Sequence, residues 1–296
     1  MKISDPQFIN ILSCPLCQND LHDRKDNMAC EQCGMSYPIR TSAIYLAPKG
    51  DQLLRQYREE ARSPINRFKA LIKTWPWLFD ILTLAIGSVS FFGQSAKTTI
   101  KKTYGNNTQD KIIINIGSGI SRPHPAALNL DIFPFKNVDI VASATALPFK
   151  DNSVDMIISE STLEHIPDGE TAIKEIMRTV KPGGMVYITI PFLMPFHASP
   201  NDYMRLTHEG LKQKFSAFEP IKIGMRGGPA SALITFLMYF FALPFSLISE
   251  SAYNFATYFF MVILSPLRIF DLLFFLFPKS IETATIIYFV GKKKNI

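Results

Sequence analysis

The sequence predicts an α/β fold with a mainly parallel sheet, a small four-cysteine module in front and an apolar helical insertion before the last strand. Three observations carry this prediction. From residue 111 onward, runs of β-branched residues alternate with helix-like stretches, as they do in βαβ units. All four cysteines fall within the first 33 residues, in two Cys-x2-Cys pairs. Residues 229–249 contain no charged side chain.

The front module, residues 1–47, is defined by its cysteines. Cys14 and Cys17 form one pair, and Cys30 and Cys33 form the second. Four thiolates at this spacing suit a closed tetrahedral zinc site, which would stabilise a unit too small to have its own core. A redox pair and an iron–sulfur cluster are the alternatives. Because no cysteine remains elsewhere for disulfides, the pattern also favours a reducing, cytoplasmic setting.

Residues 48–105 are expected to form a linker and an amphipathic helical region. This region holds both tryptophans, Trp75 and Trp77, with Lys69 and Lys73 close by. Aromatic and basic residues together are typical of a helix at a membrane interface.

The parallel sheet is predicted from length and composition. Short apolar runs rich in Ile, Val and Leu indicate buried strands, whereas residues 172–180 have apolar positions at helical spacing and should end at Pro182-Gly183-Gly184. The predicted strands are residues 111–116, 128–132, 138–142, 154–159, 185–191, 220–225 and 285–291.

A glycine-rich turn follows the first of these strands. Gly117, Ser118 and Gly119 would let the backbone approach a bound nucleotide closely and offer amide donors to it. Asp131 ends the next strand, where a carboxylate can accept both ribose hydroxyls of an adenosine. The short gap between Gly117 and Asp131 requires a short or irregular connection.

Four ordered motifs together resemble the class I S-adenosylmethionine-dependent methyltransferases of the type 11 group: the glycine turn and residues 144–149, 159–166 and 180–184. The resemblance implies a Rossmann-like, seven-stranded sheet built from residues 106–228 and 281–296, with residues 229–280 inserted. It also implies S-adenosylmethionine as cofactor. A nicotinamide-binding Rossmann domain is the nearest alternative, but it would carry a third glycine where Arg122-Pro123 stands. The implied cofactor-binding residues are Asn115, Gly117, Ser118, Gly119, Asp131, Ile132, Ser143, Ala144, Leu147 and Ser159.

Two residues depart from the family pattern. Asn115 and Ser143 stand where family members commonly carry an acidic side chain. Both keep a hydrogen-bonding group and lose the charge, which leaves a non-catalytic, methyltransferase-like scaffold as an alternative.

The loop after the fifth strand, residues 195–207, resembles one in methyltransferases of bacterial surface polysaccharide and glycolipid synthesis. His197 is the expected general base for a hydroxyl acceptor, Asp202 would orient it, and Arg205 would bind an anionic group such as a phosphate. The structural alternative is that Asp202 and Arg205 pair to hold the loop while Thr207 caps the next helix.

The cysteine module is similar to the zinc-ribbon-like domain that precedes some bacterial methyltransferases, including certain rRNA guanine methyltransferases. An RNA methyltransferase that grips its substrate with this module is therefore the alternative function. The mild net charge of +6 suits a nucleic acid and an anionic membrane face equally. The lack of a run of basic residues interleaved with aromatics, together with the apolar insertion, counts against nucleic acid.

The insertion at residues 229–280 is long and apolar enough to meet a bilayer. Because the flanking strands should pair in one sheet, both ends must emerge on the same side, and Arg268 and Asp271 are costly at mid-bilayer. A hairpin lying in one leaflet fits better than two spans. The alternatives are an apolar dimer interface and an active-site lid.

These expectations combine into one hypothesis. The chain methylates a hydroxyl of a lipid-linked saccharide or another amphipathic acceptor, on the cytoplasmic side, associated with the inner face of the cell membrane. The first residues lack the continuous apolar stretch of a secretory signal, which agrees with that side of the membrane.

Overall fold

A computed structural model describes residues 5–40, 43–47, 87–197 and 201–295 of the chain. The predicted interfacial segment around Trp75 and Trp77 lies outside the described residues. Within them, eleven strands form one mixed sheet. The strands are β1 His22–Asp23, β2 Asn27–Ala29, β3 Ser36–Arg40, β4 Ala43–Tyr45, β5 Ile113–Ile116, β6 Ala127–Asp131, β7 Ile140–Val141, β8 Val154–Glu160, β9 Val180–Pro191, β10 Phe218–Gly227 and β11 Ile286–Lys293. The helices are α1 Pro6–Ile9, α2 Ala96–Tyr104, α3 Gly169–Thr179, α4 His208–Lys214, α5 Pro229–Ala242, α6 Glu250–Leu264 and α7 Asp271–Phe274.

The sheet has four strands more than the seven expected. From one edge to the other, the order is β1-β2-β3-β4-β7-β6-β5-β8-β9-β11-β10. The last seven strands of this order come from residues 113–293, and the first four come from the cysteine module. The module continues the sheet because β4 pairs with β7 in parallel, Ile44 opposite Ile140 and Tyr45 opposite Val141.

The central strands are covered on both faces, which explains their continuous apolar sequences. Along β5, Ile114 and Ile116 lie in one core cluster and Ile113 lies in another, as the alternation of a strand requires. Ile100 of α2 packs with Ile113 on one face, and Ile173 of α3 belongs to the core of the other. Residues 117–126, between β5 and β6, form turns rather than a helix.

Helix α3 ends at Thr179, before the Pro182-Gly183-Gly184 stretch at which the sequence predicted its end. Asp168 caps its first turn by accepting a hydrogen bond from the Thr171 amide at 3.0 Å. The backbone becomes extended at Val180, and Pro182, Gly183 and Gly184 lie inside β9. A proline disfavours the helical conformation of the residue before it, so the chain leaves the helix upstream of the glycines.

The register of the last three strands places the apolar insertion at a defined edge. In the antiparallel pairs, Ile286 at the start of β11 lies opposite Pro191 at the end of β9 and opposite Gly227 at the end of β10. Since β9 runs parallel to β8, and β8 to β5, the helical segment between β10 and β11 begins and ends at the carboxyl edge of the parallel strands.

The cysteine module packs directly on the loop that follows β7. The Ser13 amide donates to the Pro148 carbonyl at 3.0 Å, and the Lys150 amide donates to the Ile11 carbonyl at 2.8 Å. The rings of Phe8 and Phe149 meet edge to face at 6.4 Å. One core cluster includes residues of both parts, so the module and the sheet share a hydrophobic core.

Candidate active site

The glycine turn and the end of β6 meet at the carboxyl edge of the sheet. The Gly119 amide donates to Asp131 Oδ2 at 2.8 Å, and the Phe133 amide donates to Asp131 Oδ1 at 2.9 Å. Burial raises the pKa of Asp131, and these amide bonds oppose that rise. Each carboxylate oxygen keeps a second lone pair, so the side chain can still accept hydrogen bonds from a bound ribose.

Gly117 cannot carry a side chain in this arrangement. Its φ of 64° lies in the left-handed region, and a Cβ there would come within 2.1 Å of Thr162 Cγ2. Thr162 follows β8, so the glycine turn is in contact with the β8 exit loop. The contact with Thr162 therefore requires a glycine at position 117.

The two residues that depart from the family pattern have local partners. The Asn115 side-chain amide donates to Asn129 Oδ1 at 3.1 Å and to the Ser121 carbonyl at 3.3 Å. Ser143 shares a hydrogen bond of 2.8 Å with the Thr145 hydroxyl. Asn115 thus braces the connection after the glycine turn.

The remaining predicted cofactor residues lie around the same edge in different environments. Ile132 and Ala144 are half-buried, and Ser118 is buried with its amide donating to the Leu130 carbonyl. The Leu147 side chain is fully buried in the core, and its amide donates to Glu175 Oε2. Ser159 is buried, and its hydroxyl has no hydrogen-bond partner among the described residues.

The three predicted catalytic residues are brought together by the structure. His197 Nδ1 lies 3.2 Å from Asp202 Oδ2, and the His197 amide donates to the same oxygen at 2.9 Å. Asp202 also forms a two-pronged ion pair with Arg205. Burial lowers the pKa of His197. Burial of Asp202 acts in the opposite direction to the hydrogen bonds from Arg205, which prevail and lower the pKa of that carboxyl.

The N–H groups of Arg205 form hydrogen bonds within the loop itself. Besides Asp202, its guanidinium donates to the carbonyls of Met194, Pro195 and Met204 at 2.9–3.2 Å. An incoming anion would have to displace one of these bonds. The geometry therefore matches the structural alternative for Arg205, while His197 keeps an oriented imidazole.

Glu164 is a site residue that sequence reasoning did not single out. It lies in a single 3-10 turn, Leu163–His165, and its side chain is 0% exposed. Neither carboxylate oxygen has a hydrogen-bond partner among the described residues. Burial raises the pKa of Glu164 to about 8. Its presence in the family-like stretch at residues 159–166 was the available signal, but its burial without a partner is visible only in the structure.

His165 lies beside Glu164 and His197. Its Nδ1 is 2.6 Å from the Asn201 carbonyl, and its Nε2 is 3.9 Å from Glu164 Oε1. Its ring meets that of His197 at 5.0 Å, close to perpendicular.

The four cysteines form a compact sulfur cluster. Cys14 Sγ lies 3.6 Å from Cys33 Sγ, and Cys17 Sγ lies 3.5 Å from Cys30 Sγ. All four sulfur atoms are within 4.8 Å of one another. Sulfurs that share a tetrahedral zinc ion at 2.3 Å are separated by about 3.8 Å, so the set fits zinc. The Tyr37 hydroxyl, 3.2 Å from Cys14 Sγ, can donate to a thiolate there.

The helical segment between β10 and β11 presents many large apolar side chains to solvent. Leu247 is 90% exposed, Leu276 75% and Ile248 74%. By length and composition, Pro229–Leu247 and Glu250–Phe274 are each apolar enough to cross a membrane. Few charged residues lie among these side chains, so they form a continuous apolar surface. Exposed apolar residues in soluble proteins are usually scattered singly.

Two family models match the chain. Residues 116–188 match the methyltransferase domain, and residues 5–42 match the Trm112p-like protein family. The first match spans the glycine turn, Asp131 and Glu164. The second spans all four cysteines.

Curated relatives are uncharacterized methyltransferases from mycobacteria. One from Mycobacterium leprae is 27% identical over 177 residues, which cover 53% of this chain and 58% of the relative. One from Mycobacterium sp. (strain JLS) is 40% identical over 68 residues, 23% of this chain and 26% of the relative. The chain thus matches little more than half the length of the first of these relatives.

Two solved structures align with the chain at low sequence identity. Phosphoethanolamine N-methyltransferase 2 of Haemonchus contortus, in complex with S-adenosylmethionine, is 16% identical; the alignment covers 81% of this chain and 60% of that chain, with a TM-score of 0.46. A complex between the Haloferax volcanii Trm112 methyltransferase activator and a methyltransferase is 14% identical; it covers 67% of this chain and 94% of that chain, with a TM-score of 0.39.

The two family models agree with the geometry at two places. The cysteine set fits the predicted structural zinc in a Trm112p-like stretch. The glycine turn and Asp131 fall where the methyltransferase model matches, which confirms the predicted enzyme class and S-adenosylmethionine as its cofactor at the level of this domain. Residues 116–188 of the chain are thus similar to a methyltransferase domain.

Proposed function

We propose that the chain transfers a methyl group from S-adenosylmethionine to a hydroxyl of a lipid-linked saccharide or another amphipathic acceptor. The transfer takes place at the inner face of the cell membrane. One observation carries this proposal: the apolar helical segment emerges from the edge of the sheet that holds the cofactor turn, since Gly227, Ile286 and Pro191 are aligned there. An acceptor with an apolar anchor could rest on the segment while its polar head reaches the site.

The cofactor site belongs to the proposal residue by residue. The amides of the glycine turn would approach the bound cofactor, and Asp131 would accept the ribose hydroxyls. Ile132, Ser143 and Ala144 would line the adenine side. S-adenosylmethionine supplies the electrophilic methyl group when bound, and the protein positions the acceptor and excludes water.

The acceptor side centres on His197. Asp202 fixes the orientation of this imidazole, and burial favours its neutral form. A neutral imidazole can take the proton that an acceptor hydroxyl loses during methyl transfer. Arg205, with its bonds to Asp202 and to three carbonyls, would hold the loop in shape rather than touch the acceptor.

The apolar segment supports membrane association through its exposure. Burying a Leu, Ile or Phe side chain is worth roughly 1.5–3 kcal/mol, and many such side chains of α5 and α6 face solvent. Transfer of even a few of them into lipid would hold the protein at a membrane. The segment begins and ends at the same edge of the sheet, and a hairpin that lies in one leaflet is compatible with this arrangement.

Asp271, one of the two charged residues that made a full membrane span costly, does not lie on the surface of the helical segment. Asp271 is fully buried and accepts hydrogen bonds from the Ala230 amide at 2.7 Å and from the Ser231 amide at 3.1 Å. It therefore caps the start of α5, where a carboxylate also meets the positive end of the helix dipole.

The domain boundaries of the proposal follow these roles. Residues 1–47 form the zinc module and 48–105 a linker with an amphipathic helical region. Residues 106–228 and 281–296 form the methyltransferase domain, and 229–280 form the membrane-facing hairpin. The module would brace the loop after β7, to which Ser13 and Lys150 are hydrogen-bonded.

The experiment compares cells with and without the protein. Lipid-linked saccharides and free glycans are extracted, and their masses are measured by mass spectrometry. RNA from the same cells is digested to nucleosides, and the methylated nucleosides are quantified. A lipid-linked pool lighter by one methyl group in the deficient cells, and restored by the gene, supports the proposal. An unchanged pool beside altered RNA methylation would replace it with the RNA methyltransferase. No change in any fraction, with no binding of S-adenosylmethionine, would favour the scaffold.

A further inference from the structure

Glu164, His165 and His197 form a second cluster of metal-ligand side chains, separate from the cysteines. One ligand atom from each lies within 4.8 Å of the others. The Glu164 carboxylate is fully buried and has no hydrogen-bond partner among the described residues. A buried carboxylate is costly to keep charged unless it pairs with a cation or coordinates a metal, and without either it takes up a proton. A bound metal ion would stabilise the charged form of Glu164. We propose that these three residues bind a first-row divalent transition-metal ion.

The spacing of the cluster is compatible with one ion. Glu164 Oε1 and His165 Nε2 are 3.9 Å apart. Two ligands that bind one ion at about 2.1 Å are separated by about 3–4 Å. Two imidazoles and one carboxylate form a ligand set that zinc, iron, manganese and cobalt accept, and it leaves coordination positions open.

The hydrogen bonds around the two histidines favour ligation. The Nδ1 atom of His165 faces the Asn201 carbonyl at 2.6 Å, which accepts only from a protonated nitrogen. The Nδ1 atom of His197 faces Asp202 at 3.2 Å. The carbonyl places the proton of His165 on Nδ1. At His197 the Arg205 guanidinium also lies 3.4 Å from Nδ1, and the shorter contact with the Asp202 carboxylate favours a proton there. A proton on Nδ1 leaves the Nε2 lone pair available. A metal-bound histidine typically donates its other N–H to a carbonyl or carboxylate in this way.

The cluster lies next to the cofactor turn. Thr162, which contacts the turn at Gly117, precedes Glu164 by two residues. An ion held here would have an open position for an oxygen atom of the acceptor. This role rests on the proposed methyl transfer, whereas the binding of the ion does not. In the metal-loaded protein the ion, rather than a free His197 imidazole, would contact the acceptor oxygen.

The test measures binding on the full chain without acceptor or S-adenosylmethionine. Protein reconstituted with one zinc equivalent at the cysteines is titrated with Zn²⁺ and, separately, with Mn²⁺ by calorimetry, and bound metal is counted after dialysis. The variants are Glu164→Gln, which keeps the side-chain shape, and His197→Ala. His22→Ala, at an exposed position of β1, is the matched control.

We expect one further equivalent of at least one of the two ions in the wild type and in the His22→Ala control. In Glu164→Gln and His197→Ala that binding should weaken at least about tenfold, while the first zinc and the thermal unfolding profile of Glu164→Gln stay unchanged. A wild-type protein that takes up only the first zinc would overturn the inference. So would a second equivalent that both variants retain. Methyl transfer is not needed for either result, so failure here leaves the proposed function standing.

Discussion

The Gly119 amide and the Asp131 carboxylate are joined by a hydrogen bond of 2.8 Å that connects the turn after β5 to the end of β6. The bond fixes the Asp131 oxygens at the carboxyl edge of the sheet, beside the backbone of the glycine turn. A side chain so placed is preorganised for a ribose, because its orientation is set before any ligand arrives.

Replacing Asp131 with Asn should weaken S-adenosylmethionine binding about 10–100-fold, since hydrogen bonds to a charged group are worth about 1.5–3 kcal/mol. Isothermal calorimetry measures the dissociation constant. Asp110→Asn, at an exposed position, is the control and should bind like the wild type. Equal affinity in the two variants would show that Asp131 does not contact the cofactor.

The Gly117→Ala substitution should abolish cofactor binding, because the new Cβ would collide with Thr162. A substitution at a second glycine serves as a control that distinguishes the effect of this collision from the effect of backbone strain. Gly105 also has a positive φ of 60°, but nothing lies within 4 Å of its position for a Cβ. Gly105→Ala should therefore lower stability through backbone strain alone and leave binding intact. Calorimetry and thermal unfolding report the two effects, and binding retained by Gly117→Ala would contradict the placement of the turn.

Removing zinc should weaken the cofactor site as well as the module, because both belong to one core. Cys14→Ser or a chelator should lower the free energy of unfolding by at least about 2 kcal/mol, which corresponds to a fall of at least about 3 °C in the melting temperature of a chain of this length. S-adenosylmethionine affinity should fall with it. Ser36→Ala, at an exposed position of β3, is the control. Metal analysis, melting and calorimetry check this prediction, and a zinc-free protein with unchanged melting would refute the structural role.

Serine in place of Leu247, Ile248 and Leu276 should reduce the partition into liposomes at least about tenfold, since each exposed side chain contributes its transfer free energy only in the lipid. Because these side chains face solvent, the melting temperature should hardly change. Leu16→Ser is matched in exposure, at 68%, but lies in the zinc module. Co-sedimentation with vesicles measures the partition. If Leu16→Ser and the triple variant behave alike, the segment is not the membrane contact.

Much of the sheet was predictable because its signals are local. β5, β8 and β9 are runs of apolar residues buried on both faces, and the predicted last strand pairs between β9 and β10, as expected from the sequence. The zinc ligands followed from spacing alone. These features depend on periodicity and on pairs of residues close in the chain.

Features that depend on distant contacts were not predictable. The module joins the sheet through the pairing of Ile44 with Ile140, which no local pattern encodes, so the sheet has eleven strands and not only the seven expected. The partners of Asn115 and the unpaired carboxylate of Glu164 likewise arise from tertiary packing. His197, Asp202 and Arg205 do lie together, and the commitment of Arg205 to loop carbonyls became visible only in the structure.

Transfer of a labelled methyl group tests the central claim most directly. The purified protein is incubated with methyl-labelled S-adenosylmethionine and membranes from cells that lack it, and the lipid-extractable, protein and RNA fractions are counted separately. The account predicts label in the lipid-extractable fraction with the wild type and the Asp110→Asn control, and a large loss with Asp131→Asn. Label confined to RNA, or no transfer to any fraction by a protein that binds zinc and is folded, would contradict it.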